Sequence, residues 1–109
     1  MEIHKHTAGG VVVFRCHGRI LVGSDCNAFL TAVRPQIDVT PDVVLNLGGV
    51  NYIDSAGIGA IVRLYTAAQV AGGRLRISNL TPRVFDLLHI SMVLTVIEAY
   101  ATEEEAVAA

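Results

Sequence analysis

The sequence predicts one α/β domain over residues 1–109, a mixed β-sheet of roughly four to five strands with about four helices packed largely on one face. Three observations predict it. The opening stretch reads as strands punctuated by Gly9-Gly10 and Gly18. From Val43 onward, strand-like and helix-like segments alternate. Between them, Val43-Val44-Leu45-Asn46-Leu47 is almost continuously apolar, as a strand covered on both faces must be.

Composition narrows the functional classes. A chain of 109 residues with 52% apolar and 17% charged side chains can bury a core without staples and is not disordered. The net charge is −2 and no Lys/Arg stripe occurs, so a nucleic-acid partner is not expected. No apolar run reaches the roughly 18–20 residues of a membrane span, and Met1-Glu2-Ile3-His4-Lys5-His6 lacks a signal-peptide core. Cys16 and Cys26 are not in CxxC spacing and read as small core hydrophobes in a reduced, cytoplasmic setting. His4-x-His6 places two imidazoles on one strand face with no third ligand nearby, so neither a metal nor a cofactor is expected.

Each element has its own signal. Residues 2–6 alternate and lead into the Gly9-Gly10 turn. Val11 to His17 is a β-branched strand, broken at Gly18 and resumed by Arg19-Ile20-Leu21-Val22. Ser24 or Asp25 caps a helix whose apolar stripe is Phe29, Leu30 and Val33, and Pro35 should shorten or kink it. After the apolar strand from Val43 to Leu47, Gly48-Gly49 and Asn51 predict a loose connection. Gly72-Gly73 suits a left-handed cap at the end of the next helix. Leu75-Arg76-Ile77 alternates as a short strand. Thr81-Pro82 pairs an N-cap with proline at the first helical position, and Val84, Leu87, Leu88 and Phe85 supply that helix's apolar face. Residues 92–97 return to strand character. Thr102-Glu103-Glu104-Glu105 matches a capping box, with Ala106 and Val107 facing inward.

The most informative stretch is Tyr52-Ile53-Asp54-Ser55-Ala56-Gly57-Ile58-Gly59, where a buried strand turns into a helix. The first backbone N–H groups of a helix lack intrahelical partners and carry partial positive charge. Ser55 there is either an ordinary cap or a place where phosphate is added or read. The glycines do not form GxGxxG or GxxxxGK[ST], and Ser55 lacks the flanking glycines of a nucleophile elbow. The acidic residues are scattered or terminal, which argues against an enzyme. A phosphate on Ser55 would meet free N–H donors, and its charge beside Asp54 would repel an acidic or apolar partner surface. Gly57 and Gly59 leave the helix start bare for close approach by another backbone.

Leu45-Asn46-Leu47 followed by Val50-x-Tyr52-Ile53-Asp54-Ser55-Ala56-Gly57-Ile58-Gly59 resembles the signature of STAS domains, and more narrowly that of bacterial anti-sigma factor antagonists. The likeness extends to Gly18-Arg19-Ile20, Gly72-Gly73, Asn79-Leu80 and Glu105-Ala106, so it covers almost the whole chain. It implies a STAS-like sheet and a partner switch without catalysis. The unphosphorylated antagonist binds an anti-sigma factor serine kinase and so frees a sigma factor; phosphorylation of the serine after the Asp releases it, and a serine phosphatase resets it. That acceptor is Ser55, and Ala56 leaves it alone in the motif. The implied partner-binding residues are Asp54, Ala56, Gly57, Ile58, Ser24 and Asp25. One departure is plain: where many antagonists carry a loop Asp, this chain has Leu21, with basic Arg19 at the neighbouring acidic position. Ser24 and Asp25 are the nearest candidates for that polar contact. The alternative role is a constitutive STAS interaction module of a transporter-associated complex or larger signalling assembly.

Overall fold

In the computed structural model, which describes residues 1–109, five strands form one sheet whose spatial order equals its sequence order. They are β1 (Glu2–Ala8), β2 (Val11–Ile20), β3 (Val43–Ile53), β4 (Leu75–Ser78) and β5 (Ala99–Tyr100). β1 runs antiparallel to β2 across the Gly9-Gly10 turn, and all later pairs are parallel. The helices are α1 (Ser24–Val39), α2 (Ser55–Val70), α3 (Pro82–Ile90) and α4 (Glu103–Ala108).

This order dictates where the helices go. Parallel crossovers within a sheet are almost always right-handed. Three crossovers that step in the same direction therefore put α1, α2 and α3 on the same face. The core agrees: Phe29, Val33 and Ile37 of α1, Ile61 and Leu64 of α2, and Val84 and Leu88 of α3 join the sheet residues Phe14, Leu45 and Ile77 in one buried cluster of 23 residues. Each such aliphatic or aromatic side chain contributes roughly 1.5–3 kcal/mol by leaving water, so this face carries most of the stability. α4 lies on the opposite face, where Ala106 meets Val11, Val13 and Val44.

Local signals give several of the boundaries. Thr81 caps α3, its Oγ1 accepting from the Val84 N–H, with Pro82 as the first helical residue. Thr102 caps α4 by accepting from the Glu105 N–H at 3.2 Å. After α2, Gly72 has φ +88°; its N–H donates to the Gln69 carbonyl and the Gly73 N–H to the Ala68 carbonyl, the paired bonds of a Schellman ending.

Five expectations are corrected. α1 is capped by Gly23, at φ +95° and with no side-chain cap bond, rather than by Ser24 or Asp25. It also runs through Pro35, which is exposed, so the missing N–H and the ring lie on the solvent side. β2 and β3 continue through their glycines as one long ladder from Val12↔Val43 to Ile20↔Ile53, with register shifts near Cys16 and Gly18 absorbing the irregularity. A side chain at Gly49 would collide with the His17 ring and the Cys16 carbonyl, so that glycine serves close strand packing rather than a loop. Residues 92–97 do not form a strand. Met92 adopts a left-handed conformation (φ 68°), a 3₁₀ turn spans Val93–Thr95, and Val93 and Ile97 are buried at helical rather than alternating spacing. Finally, Phe85 is not part of the buried face of α3; it is exposed and stacks on the His89 ring one turn on.

Candidate functional site

Beyond Asn46↔Ser78 the β3 ladder leaves β4 behind, and only β2 accompanies it to Ile53. The chain then turns at Asp54 into α2, so the junction hangs off the carboxyl end of the parallel strands, where open α/β sheets offer their crevices. Ile20 and Ile53, both buried, anchor the two strand ends from below.

Asp54 organises this end of the molecule. Its N–H donates to the Ile20 carbonyl at 3.3 Å, and its carbonyl accepts the Ile58 N–H at 3.0 Å. Its Oδ1 accepts the Gly57 N–H at 2.8 Å, which caps α2, while Oδ2 accepts the Val22 N–H at 2.9 Å from the loop between β2 and α1. These N–H groups, Val22 first and Gly57 second, hold the Asp54 carboxyl below its ordinary range, because they stabilise only its ionised form. Asp25 works on the same loop from the α1 side, its Oδ2 accepting the Leu21 N–H at 3.2 Å. Leu21, at the position of the missing loop Asp, is therefore fixed through its backbone.

Because Asp54 is the cap, Ser55 is not. Ser55 is the first residue of α2; it is exposed, and its hydroxyl takes part in none of the hydrogen bonds of the turn. That removes the cap reading of the serine: its hydroxyl is left over once the helix start has been satisfied.

The other residues read from the sequence fall into three groups. Ser24 is exposed at the start of α1. Ala56 and Ile58 are half-buried and rest against the main core, so each offers only part of its surface. Gly57 is buried, which corrects its place in the bare outer surface of the turn. A Cβ there would strike the Ile20 carbonyl oxygen and the Ile53 side chain, so Gly57 is needed for α2 to approach the end of β2. Gly59 is the exposed, open glycine instead.

Sequence reasoning also missed neighbours. The Val22 side chain stands 74% exposed beside the turn, and the Arg83 guanidinium lies 5.1 Å from the centre of the Tyr52 ring. No local pattern signals either, since both depend on β2, β3 and α3 meeting in space. An open groove of about 760 Å³ runs between α1 and α2, lined by Leu30, Val62, Ala67 and Val70. No three His, Cys, Asp or Glu side chains stand close enough together to hold a metal ion. No helix is long and apolar enough to cross a membrane.

This architecture defines a single-sheet α/β domain that presents a capped helix start at the end of its longest parallel pair. The STAS-domain family model matches residues 2–106, and the chain belongs to that family. A Thermotoga maritima protein described as a candidate anti-sigma factor antagonist superposes with a TM-score of 0.88 at 20% identity, covering 95% of this chain and 90% of its own. The Bacillus cell fate determinant SpoIIAA in its phosphorylated form superposes at 0.71 and 18% identity, covering 98% and 97%. The murine anion transporter Slc26a9 superposes at 0.79 and 16% identity over 94% of this chain, which spans 18% of the transporter. At these identities the likeness carries the fold.

Proposed function

We propose that this protein is a cytoplasmic, non-enzymatic anti-sigma factor antagonist that works by partner switching. Unphosphorylated, it binds an anti-sigma factor serine kinase; phosphorylated on Ser55, it lets go, and a serine phosphatase restores it. The observation that carries the reading is the division of labour at the turn: Asp54 makes the cap, and the adjacent Ser55 hydroxyl is exposed and unbonded. In the transfer, the Ser55 oxygen bonds to the γ-phosphorus of ATP, ADP departs with the broken bridge, and the hydroxyl proton passes to a base on the kinase. The product phosphate sits at a helix N-terminus, where the dipole favours it, so modification changes the surface without unfolding the domain. The phosphorylated SpoIIAA neighbour supports the reading by fold.

Incubation with the serine kinase of the same genome and ATP, followed by mass measurement of the Ser55 peptide, tests it. One added phosphate is expected, together with loss of kinase binding. An unmodified peptide, with wild type and Ser55→Ala bound alike in both nucleotide states, overturns it. The likeness to the Slc26a9 domain favours one second reading, a constitutive module within a transporter-associated or larger signalling assembly. That reading requires a stable partner whose binding survives Ser55→Asp.

A further inference from the structure

We propose that the groove between α1 and α2 binds a single-chain aliphatic carboxylate, a medium-chain fatty acid, with its head on Arg63 and its tail running toward Val70. The groove begins about two helical turns along α2 from the Asp54–Ser55 turn, and no step of the partner-switching reading enters it. Its volume of about 760 Å³ lies within the range of small-molecule sites. Leu30 and Ala67, half-buried against the main core, form its floor, while Val62 and Val70 stand exposed along the α2 side. Wet, these side chains add nothing to folding; covered by an alkyl chain, they return hydrophobic free energy.

The charges select the occupant. Of the charged side chains that line the groove, Arg34 and Asp38 neutralise each other at 2.7 Å across one turn of α1. Arg63 joins no ion pair, so the lining carries one unbalanced positive charge. Asp25 and Asp54 lie outside the lining, toward the helix starts, where their carboxylates accept the Leu21, Val22 and Gly57 N–H groups. Polarity also runs along the groove. As neighbouring crossovers between parallel strands, α1 and α2 point the same way, so the free carbonyls of both C-terminal ends gather at the Val70 end with Asp38. An anion is repelled there and drawn to Arg63, whereas a neutral tail is indifferent to that field. From Arg63 to Val70 is about 10 Å of helix axis, the length of a medium alkyl chain. A guanidinium grips a carboxylate through two parallel hydrogen bonds. One carboxylate cancels the one unbalanced charge; a phosphate monoester would bring about 1.5–2. An amphipathic helix, about 10 Å across, would have to lie over the Arg34–Asp38 pair and cut it off from water, a cost that pairing repays only in ideal geometry. An alkyl chain passes beside the pair and leaves it wet.

Decanoate, kept below its micelle-forming concentration, is titrated into the isotope-labelled full chain at neutral pH, and backbone amide shifts are followed. Saturable shifts along residues 30–38 and 62–71 are expected. Decyltrimethylammonium, the same tail under a positive head, should bind roughly tenfold or more weakly. Arg63→Gln should raise the decanoate Kd about tenfold by removing the charged fork. Val70→Asp, at a side chain 84% exposed, should raise it as well by placing a charge in the path of the tail, and circular dichroism verifies the fold of both variants. Equal binding of the two amphiphiles, shifts centred on the Met92–Val96 segment, or a Kd unmoved within about twofold by both variants overturns the proposal. An acidic amphipathic peptide that occupies the groove about tenfold more tightly than decanoate also overturns it, since the occupant would then be a protein helix. None of these measurements reads phosphorylation of Ser55, so this site and the partner switch can each fail alone.

Discussion

Two helices of this domain start with an acidic anchor, and they use it in opposite ways. At α2, Asp54 turns its carboxylate onto backbone N–H groups of its own helix and of the loop before α1, leaving the next side chain free. At α4, Glu103 reaches across to the sheet. It takes two bonds of 2.9 Å from Arg15, one of 2.9 Å from the Asn46 side chain, and lies 3.4 Å from His6. The hydrogen bonds from Arg15 come first among the causes that hold its carboxyl down at about 2. The difference follows from what each helix buries. α2 places Ala60, Ile61, Leu64 and Ala68 in the main core and needs no tether. α4 fully buries only Ala106, a methyl group worth on the order of 1 kcal/mol, so polar contacts must hold it. A carboxylate that satisfies backbone shapes a surface; one that satisfies an arginine fastens an element.

The largest effect should come from the packing that lets α2 stand where it does. Gly57→Ala is expected to cost about 2–3 kcal/mol in urea unfolding, because the new methyl meets a backbone carbonyl that cannot step aside. Asp54→Ala should lower the urea midpoint by less, since it removes one cap and one loop bond. Ser55→Ala beside it should leave the midpoint nearly unchanged; an equal loss in both would mean that the serine shares the capping. At α4, Glu103→Gln is expected to cost about 1 kcal/mol. Its pH signature is specific. The folded value of about 2 lies below the ordinary 4.5, so the tether is fully present above about pH 4.5 and is lost as pH falls toward 2. That part of the acid transition should vanish in the variant. One modest change has the opposite sign: Gly59→Ala, in open space on α2, should stabilise the fold by about 0.5–1 kcal/mol.

Features encoded within a few residues were legible in the sequence. Thr81-Pro82, Thr102 and Gly72 each set an element's end through neighbours three to five positions away, and their structures match the reading. The apolar run from Val43 to Leu47 likewise announced its place in the centre of the sheet. What failed was set by distant partners. Gly48-Gly49 read as a loop because glycine weakens a strand, yet pairing with β2 carries the ladder straight through. The β-branched content of residues 92–97 suggested a strand, but burial of Val93 and Ile97 on one side coiled it. At the site, Ser55 and Asp54 were visible by type and order. Their roles as free hydroxyl and cap, and the inward turn of Gly57, depend on where the end of β2 lies.

Identity between strand order and chain order has a consequence for how the domain forms. Each strand after the first pairs with the one made just before it, so no pairing must wait for a distant segment. Loop closure never spans more than one crossover helix, which keeps the entropic cost of each step low. The hairpin of β1 and β2 can nucleate, and β3, β4 and β5 can add in turn as the chain leaves the ribosome. The turn at Asp54 needs only β2, β3 and the two helices flanking them. It can therefore take shape while β4, β5 and the helices that follow them are still being synthesised.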